Sequence, residues 1–289
     1  MTQPNFFVVG AAKSGTTSLY QYLIQHPQIA MPSLKEPHFF GEYRPSGRKI
    51  ENMDAYLGLF KGFEEFRAVG EASTAYLYSP SAPEEIKAAF PDAKIIIVLR
   101  NPVDRAYSLY WNHIRDCAED LTFEGALDAE SARMKAGWAY GFHYVQSGMY
   151  SAQVNRYLKT FGRDKIKVFL FEELKNDPSR LLKECASFLG VEEDFQFHSS
   201  KIFNKSGPPR NKMVSRFLHS SSTVKRVILS LVPRKVKDTL KIKLRDMNVD
   251  KVPPMCIAVR NQLIDRFQDD VRSLEKLIDR DLSHWTRKQ

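Results

Sequence analysis

Cysteine is scarce: Cys117, Cys185 and Cys256 are the only three in 289 residues, too few and too widely spaced for a disulfide framework or a structural zinc site. None of the seven histidines stands in ligand spacing with another histidine or a cysteine, so no metal is expected to be required. The chain has no run of about 18 apolar residues, and no spanning helix is expected. The N-terminus shows no basic stretch followed by an apolar run and a cleavage site, which makes the cytoplasm the expected location. Repeats are missing, as are the signatures of an RRM, a KH domain or a zinc finger, so no nucleic-acid partner is expected despite a net charge of +9.

Acid is nearly missing from one stretch. Between Arg210 and Arg245 eleven lysines and arginines face a single acid, Asp238, which gives that segment +10, while the other 32 basic and 33 acidic residues leave −1. Val224, Val227, Ile228, Leu231 and Val232 recur there at helical spacing, Pro233 interrupts, and Val236, Leu240 and Leu244 resume the stripe. The pattern reads as a basic helical segment over about 210–247. It is either a solvated face covering the core or a peripheral contact for an anionic acceptor or membrane surface.

The rest of the chain alternates strand and helix signals. Buried-strand runs cover Phe6 to Gly10 and Lys94 to Leu99, with weaker ones at 68–71 and 165–169. Helical patterns follow at 16–25, 84–90, 102–115 and 178–189, the third opened by Pro102 and the last closed by Gly190. Repeated β-then-α order predicts an α/β fold with a central, mostly parallel sheet of about five strands flanked by helices. A C-terminal helix is expected at about 254–280. With 43% hydrophobic residues the chain can fill one such core, and a single domain over 1–289 is the simplest organisation.

Residues 6 to 19, Phe-Phe-Val-Val-Gly-Ala-Ala-Lys-Ser-Gly-Thr-Thr-Ser-Leu, end a strand in a lysine-bearing, glycine-punctuated turn that opens a helix. N–H groups at the start of that helix would point at an anion, and Lys13 adds a full charge. The order differs from the Walker pattern G-x-x-x-x-G-K-[ST], because Lys13 precedes Gly15. A strand-to-helix turn with a surface lysine is the plain alternative. In an open α/β sheet ligands sit beyond the carboxyl ends of the strands, where Lys13, Glu71 and Arg100 are all expected to meet.

The turn resembles the 5′-phosphosulfate loop of sulfotransferases that use 3′-phosphoadenosine 5′-phosphosulfate (PAPS), which has the same Lys-x-Gly-Thr order. Lys-Glu-Pro-His-Phe-Phe at 35–40 is similar to the Lys-Glu-x-x-Phe-Phe segment of the heparan-sulfate-type and bacterial members, and the strand-end run Leu-Arg-Asn-Pro-Val-Asp-Arg-Ala-Tyr-Ser at 99–108 to their 3′-phosphate site. Fainter similarity continues through 147–150 and 171–174 to Asp-Leu-Ser-His-Trp at 281–285. The resemblance implies a P-loop-like three-layer fold, PAPS as co-substrate, PAP as product and no metal. It implies Glu36 as catalytic base, with His38 assisting, and Lys13 stabilising charge on the departing phosphate. Lys13, Ser14, Gly15, Thr16, Thr17 and Ser18 would form the phosphosulfate loop, and Arg100 and Ser108 would hold the 3′-phosphate. Lys205, Ser206 and Arg210 are the nearest counterparts of the family's late nucleotide-covering loop. The acceptor implied is a hydroxyl, or an amine, on a carbohydrate, glycolipid or small natural product.

Two departures separate the chain from that pattern. Glu71-Ala72-Ser73-Thr74-Ala75-Tyr76 has alanine where heparan-type members carry lysine, and Asn112 with His113 replaces a histidine four residues beyond the phosphate serine. A P-loop kinase or NTPase and a non-enzymatic basic nucleic-acid-binding protein are the rival classes. The first would need an acid where Arg100 stands, and the second a recognition motif.

Overall fold

A computed structural model describes residues 2–43, 50–199, 207–211 and 248–288. Five strands form one parallel sheet: β1 (Phe6–Gly10), β2 (Ile29–Ala30), β3 (Ala68–Ala72), β4 (Lys94–Leu99) and β5 (Ile166–Leu170), in the order β2-β3-β1-β4-β5. Helices flank it: α1 (Thr16–Leu23), α2 (Met53–Leu57), α3 (Ala75–Tyr78), α4 (Ala82–Ala89), α5 (Pro102–Arg115), α6 (Phe123–Lys135), α7 (Tyr150–Phe161), α8 (Phe171–Asn176), α9 (Pro178–Leu189) and α10 (Ile257–Ile278). This is the α/β, P-loop-like three-layer arrangement expected from the sequence. The Glu84–Phe90 signal proves to be the later part of α4, and α10 lies inside the expected 254–280 window. Most of the basic 210–247 segment lies outside the described residues.

Strand alternation sorts the apolar residues into two cores. Phe7, Val9, Ile95, Ile97 and Leu99 pack on one face, and Phe6, Val8, Ile96 and Val98 on the other, all essentially buried. Both faces of a parallel sheet are covered, which is why β1 and β4 read as continuous apolar runs. Gly70 is required by close approach, since a Cβ there would lie 2.5 Å from the Phe6 ring.

The chain fills one side of β1 through β2 and β3, then crosses to β4 and β5, so the order reverses between β1 and β4. Loops diverge at such a point and leave a crevice. Asn101 opens α5 by accepting from Val103 N at 3.0 Å and Asp104 N at 3.4 Å, with Pro102 in the first turn. The C-terminal segment closes the same region. Val259, Leu263, Phe267, Val271 and Leu274 are the buried stripe of α10, and Asp270 accepts from Tyr150 N at 2.6 Å and caps α7. Trp285 is buried, and its carbonyl accepts from Asn101 Nδ2 at 3.3 Å.

Candidate active site

The turn after β1 is built for an anion. Gly15 is the N-cap of α1 with φ 87, and no side chain caps that helix and no acid occupies its first turn. Its first N–H groups lack intrahelical acceptors. An added Cβ at Gly15 would lie 2.7 Å from Leu174, so only glycine fits. The Ser14 hydroxyl is fully buried, lies near the Tyr150 hydroxyl and has no well-aligned hydrogen bond among the described residues. Arg100, at the end of β4, donates to the Lys13 carbonyl at 3.2 Å and stacks over the Phe171 ring at 4.7 Å. Ser108 follows two turns along α5 and is partly buried. These residues fit the phosphates of a nucleotide such as PAPS, with a buried hydroxyl, an open helix terminus and a strand-end guanidinium around one turn.

Lys13 turns to the other side. Its backbone is left-handed, φ 70, and Nζ donates to Asn112 Oδ1 at 2.7 Å. Here the loops enclose a cavity of about 1110 Å³, whose walls include Lys13, Thr16, Thr17, Glu36, His38 and Thr74. Glu36 and His38 are left-handed as well, with φ 59 and 49. Three non-glycine residues in that region, each costing on the order of 1–3 kcal/mol, concentrate strain where function is expected.

A buried hub holds the Glu36 loop in place. Glu71 accepts from Ser73 Oγ at 2.7 Å, Tyr76 OH at 2.7 Å and Tyr56 OH at 3.0 Å. Ser73 Oγ in turn accepts from His38 N at 3.1 Å and Tyr76 OH from Phe39 N at 2.9 Å, while Glu36 N donates to Ala72 O at 3.0 Å. Glu71 is therefore not in the crevice beside Lys13 and Arg100, as its strand-end position suggested. It pairs in register with Phe7 and faces the same core as Val69. Burial pushes its carboxyl up, against the hydrogen bonds from Ser73, Tyr76 and Tyr56.

Glu36 accepts from Lys35 Nζ at 2.8 Å and Thr74 Oγ1 at 3.2 Å, and His38 Nε2 lies 3.4 Å from its second oxygen. Burial pushes the carboxyl up, yet the charge of Lys35 and the contacts with His38 outweigh it and hold the group well below the ordinary carboxylate range. Glu36 is an ionised acceptor of protons beside Lys13, and its environment lowers its basicity.

Other expected residues fall elsewhere. Ser18 is buried in α1. Arg210 is exposed, pairs with Asp250 at 3.3 Å beside the bridge between Pro209 and Val249, and is not among the residues lining the cavity. Asp104, in the first turn of α5, binds Arg260. Sequence reasoning missed the far wall of the cavity, Trp138, Tyr140, Phe142 and His143. Its signal was the density of aromatics in Trp-Ala-Tyr-Gly-Phe-His-Tyr at 138–144, which has neither helical nor strand period.

A family model described as sulfotransferase domain matches residues 3–227. The chain belongs to the sulfotransferase family. The crystal structure of a sulfotransferase from Alicyclobacillus acidocaldarius is 38% identical with a TM-score of 0.78, over 99% of this chain and 100% of that one. The human bifunctional heparan sulfate N-deacetylase/N-sulfotransferase 3 is 29% identical over 208 residues, 70% of this chain and 24% of that protein. The membrane-associated sulfotransferase kil1 of Dictyostelium discoideum is 39% identical over 107 residues, 37% of this chain and 22% of that one. The chain thus spans about a quarter of the length of these curated relatives.

Proposed function

We propose that the protein moves a sulfuryl group from PAPS to a hydroxyl, or an amine, of a carbohydrate, glycolipid or small natural product, with Glu36 as base. The observation that carries this reading is that Glu36 and the phosphate-loop residues Lys13, Thr16 and Thr17 line one cavity, with Arg100 donating to the Lys13 carbonyl. PAPS supplies an activated sulfuryl group bonded to a phosphate oxygen. Ser14, the first N–H groups of α1 and Lys13 hold the phosphosulfate end, and Arg100 and Ser108 the 3′-phosphate. The acceptor oxygen bonds to sulfur as the bond from sulfur to the phosphate oxygen breaks, and its proton passes to a Glu36 oxygen. Lys13 stabilises the charge left on the phosphate. Thr74 and His38 fix the carboxylate, and the Glu71 hub fixes the loop that carries it. A positioned base contributes about 10² to 10⁴ in rate. With so low a basicity Glu36 takes the proton late, once bonding to sulfur has made the acceptor acidic.

Calorimetry with PAP and ATP, followed by transfer of label from radiolabelled PAPS, tests this reading. PAP should bind at least tenfold more tightly than ATP. Equal affinities, or metal-dependent ATP hydrolysis, would return the chain to the kinase class.

The +10 of the basic segment supports a peripheral contact with an anionic membrane surface. Glutamate at Lys235, Lys237, Lys241 and Lys243 should release the protein from phosphatidylserine vesicles and leave PAP affinity unchanged.

A further inference from the structure

The cavity beside Glu36 differs in charge from the chain as a whole. Among the described residues its charged walls are Lys13 and Arg115 against Glu36, Glu42 and Asp116. Both cations are engaged. Lys13 binds Asn112, and Arg115 donates to Asp116 Oδ1 at 2.7 Å and to Asn112 Oδ1 at 3.0 Å. Of the lining histidines, His113 and His143 add no charge near neutrality, since burial pushes His113 down to about 4 and His143 downward as well. Among the described residues, a carboxylate or sulfate on the acceptor would meet three acids and no guanidinium that is not already hydrogen-bonded.

The opposite wall is an aromatic platform. Arg133 donates to Glu119 at 2.6 and 2.9 Å, and this fixed guanidinium lies over the Trp138 ring at 4.7 Å. Phe142 meets Trp138 edge-on at 5.0 Å and His113 at 4.5 Å. Trp138 nevertheless keeps 47% of its surface exposed. A large aromatic ring held from behind and open in front suits the face of a ring. Beside it stands an unfilled polar group. His143 is only 5% exposed, its Nδ1 lies 2.9 Å from the Tyr78 hydroxyl, its ring also interacts with the Trp138 backbone, and its Nε2 has no well-aligned hydrogen bond among the described residues. A buried ring nitrogen left in this state costs free energy unless a ligand satisfies it.

We infer that the acceptor is an uncharged, ring-bearing alcohol that lays a ring face on Trp138 and Phe142 and hydrogen-bonds to His143 Nε2. The inference rests on the reading of the cavity as the acceptor side of a sulfotransferase. About 1110 Å³ is room for a glycoside with its aglycone rather than for a single small alcohol.

Titration of the PAP-saturated protein with p-nitrophenyl β-D-glucoside and p-nitrophenyl β-D-glucuronide, followed by calorimetry, separates the charge from everything else, because the two differ only in a hydroxymethyl against a carboxylate. The glucoside should bind at least tenfold more tightly. Trp138→Ala, at an exposed position, and His143→Phe should each weaken it at least fivefold, and Asp116→Asn should narrow the gap between the two ligands. Equal or tighter binding of the glucuronide, or no binding of either, overturns the inference. Failure of PAP itself to bind overturns the donor reading and this inference with it, whereas PAP binding with a preference for the glucuronide overturns this inference alone.

Discussion

The two sides of the Lys13 turn are made differently. On the proposed donor side the groups are backbone N–H, Ser14 and Arg100, placed by the ends of β1 and β4 at the point where strand order reverses. On the acceptor side they are side chains on loops, Glu36 and His38 after β2 and Trp138 to His143 after α6, pinned by the buried Glu71 and by the Arg133 pair with Glu119. A site made from strand ends tolerates little change, since its geometry is that of the sheet. One made from loops changes specificity without disturbing the core. The same sheet therefore supports a fixed donor and a variable acceptor.

The sharpest way to separate the two sides is Glu36→Gln. It should lower kcat by about 10² or more while PAP affinity stays within a few-fold, since Glu36 is proposed to act on the acceptor proton and not on the nucleotide. Steady-state kinetics beside PAP calorimetry reads both. Near-normal turnover would remove Glu36 from the chemistry.

Arg100→Ala probes the other side. Loss of a charge-assisted phosphate contact should weaken PAP by about 2 kcal/mol, roughly 30-fold, and should scarcely alter binding of a nucleotide without the 3′-phosphate. Equal losses would mean that Arg100 acts only by holding the Lys13 carbonyl, at 3.2 Å.

A smaller effect tests the electrostatics around the base. Lys35 and His38 hold Glu36 low, so Glu36 stays ionised far into acid and the acidic limb of kcat/KM belongs below the ordinary carboxylate range. Lys35→Met removes the larger lowering influence, and the acidic limb should move up in pH. A limb that stays put would show that another group controls it.

His113 offers the mildest probe. Burial holds its pKa at about 4, below the ordinary histidine value of 6.5, so the unfolded chain binds the proton more readily. Its contribution to stability is complete above about 6.5 and is lost as pH falls towards 4. The Tm of His113→Gln should fall less than that of the wild type between pH 7 and 5, by a few degrees, with PAP affinity unaltered.

The donor side was legible in the sequence for the reason it is rigid. Continuous apolar strands with a glycine turn or an Arg-Asn-Pro helix start have few structural solutions, and Phe6–Gly10, Lys94–Leu99 and Pro102–Arg115 formed with the expected bounds. The acceptor side was legible only through the family resemblance of the Glu36 segment. Helices α6 and α7 and the wall at 138–143 carry no period that marks a cavity. β2 is only Ile29–Ala30, too short to signal itself. Glu71 misled because position along a strand says which end a residue is near, whereas parity against Val69 decides which face it joins, and that face was the core.

The central claim is that the Lys13 turn holds the nucleotide and borders the acceptor cavity. A crystal structure of the complex with PAP tests it most directly. The 5′-phosphate should lie on the N–H groups that follow Gly15 and the 3′-phosphate on Arg100 and Ser108, with the space between Glu36 and Trp138 left open. A nucleotide seated between Glu36 and Trp138, with Arg100 still on the Lys13 carbonyl alone, would contradict it.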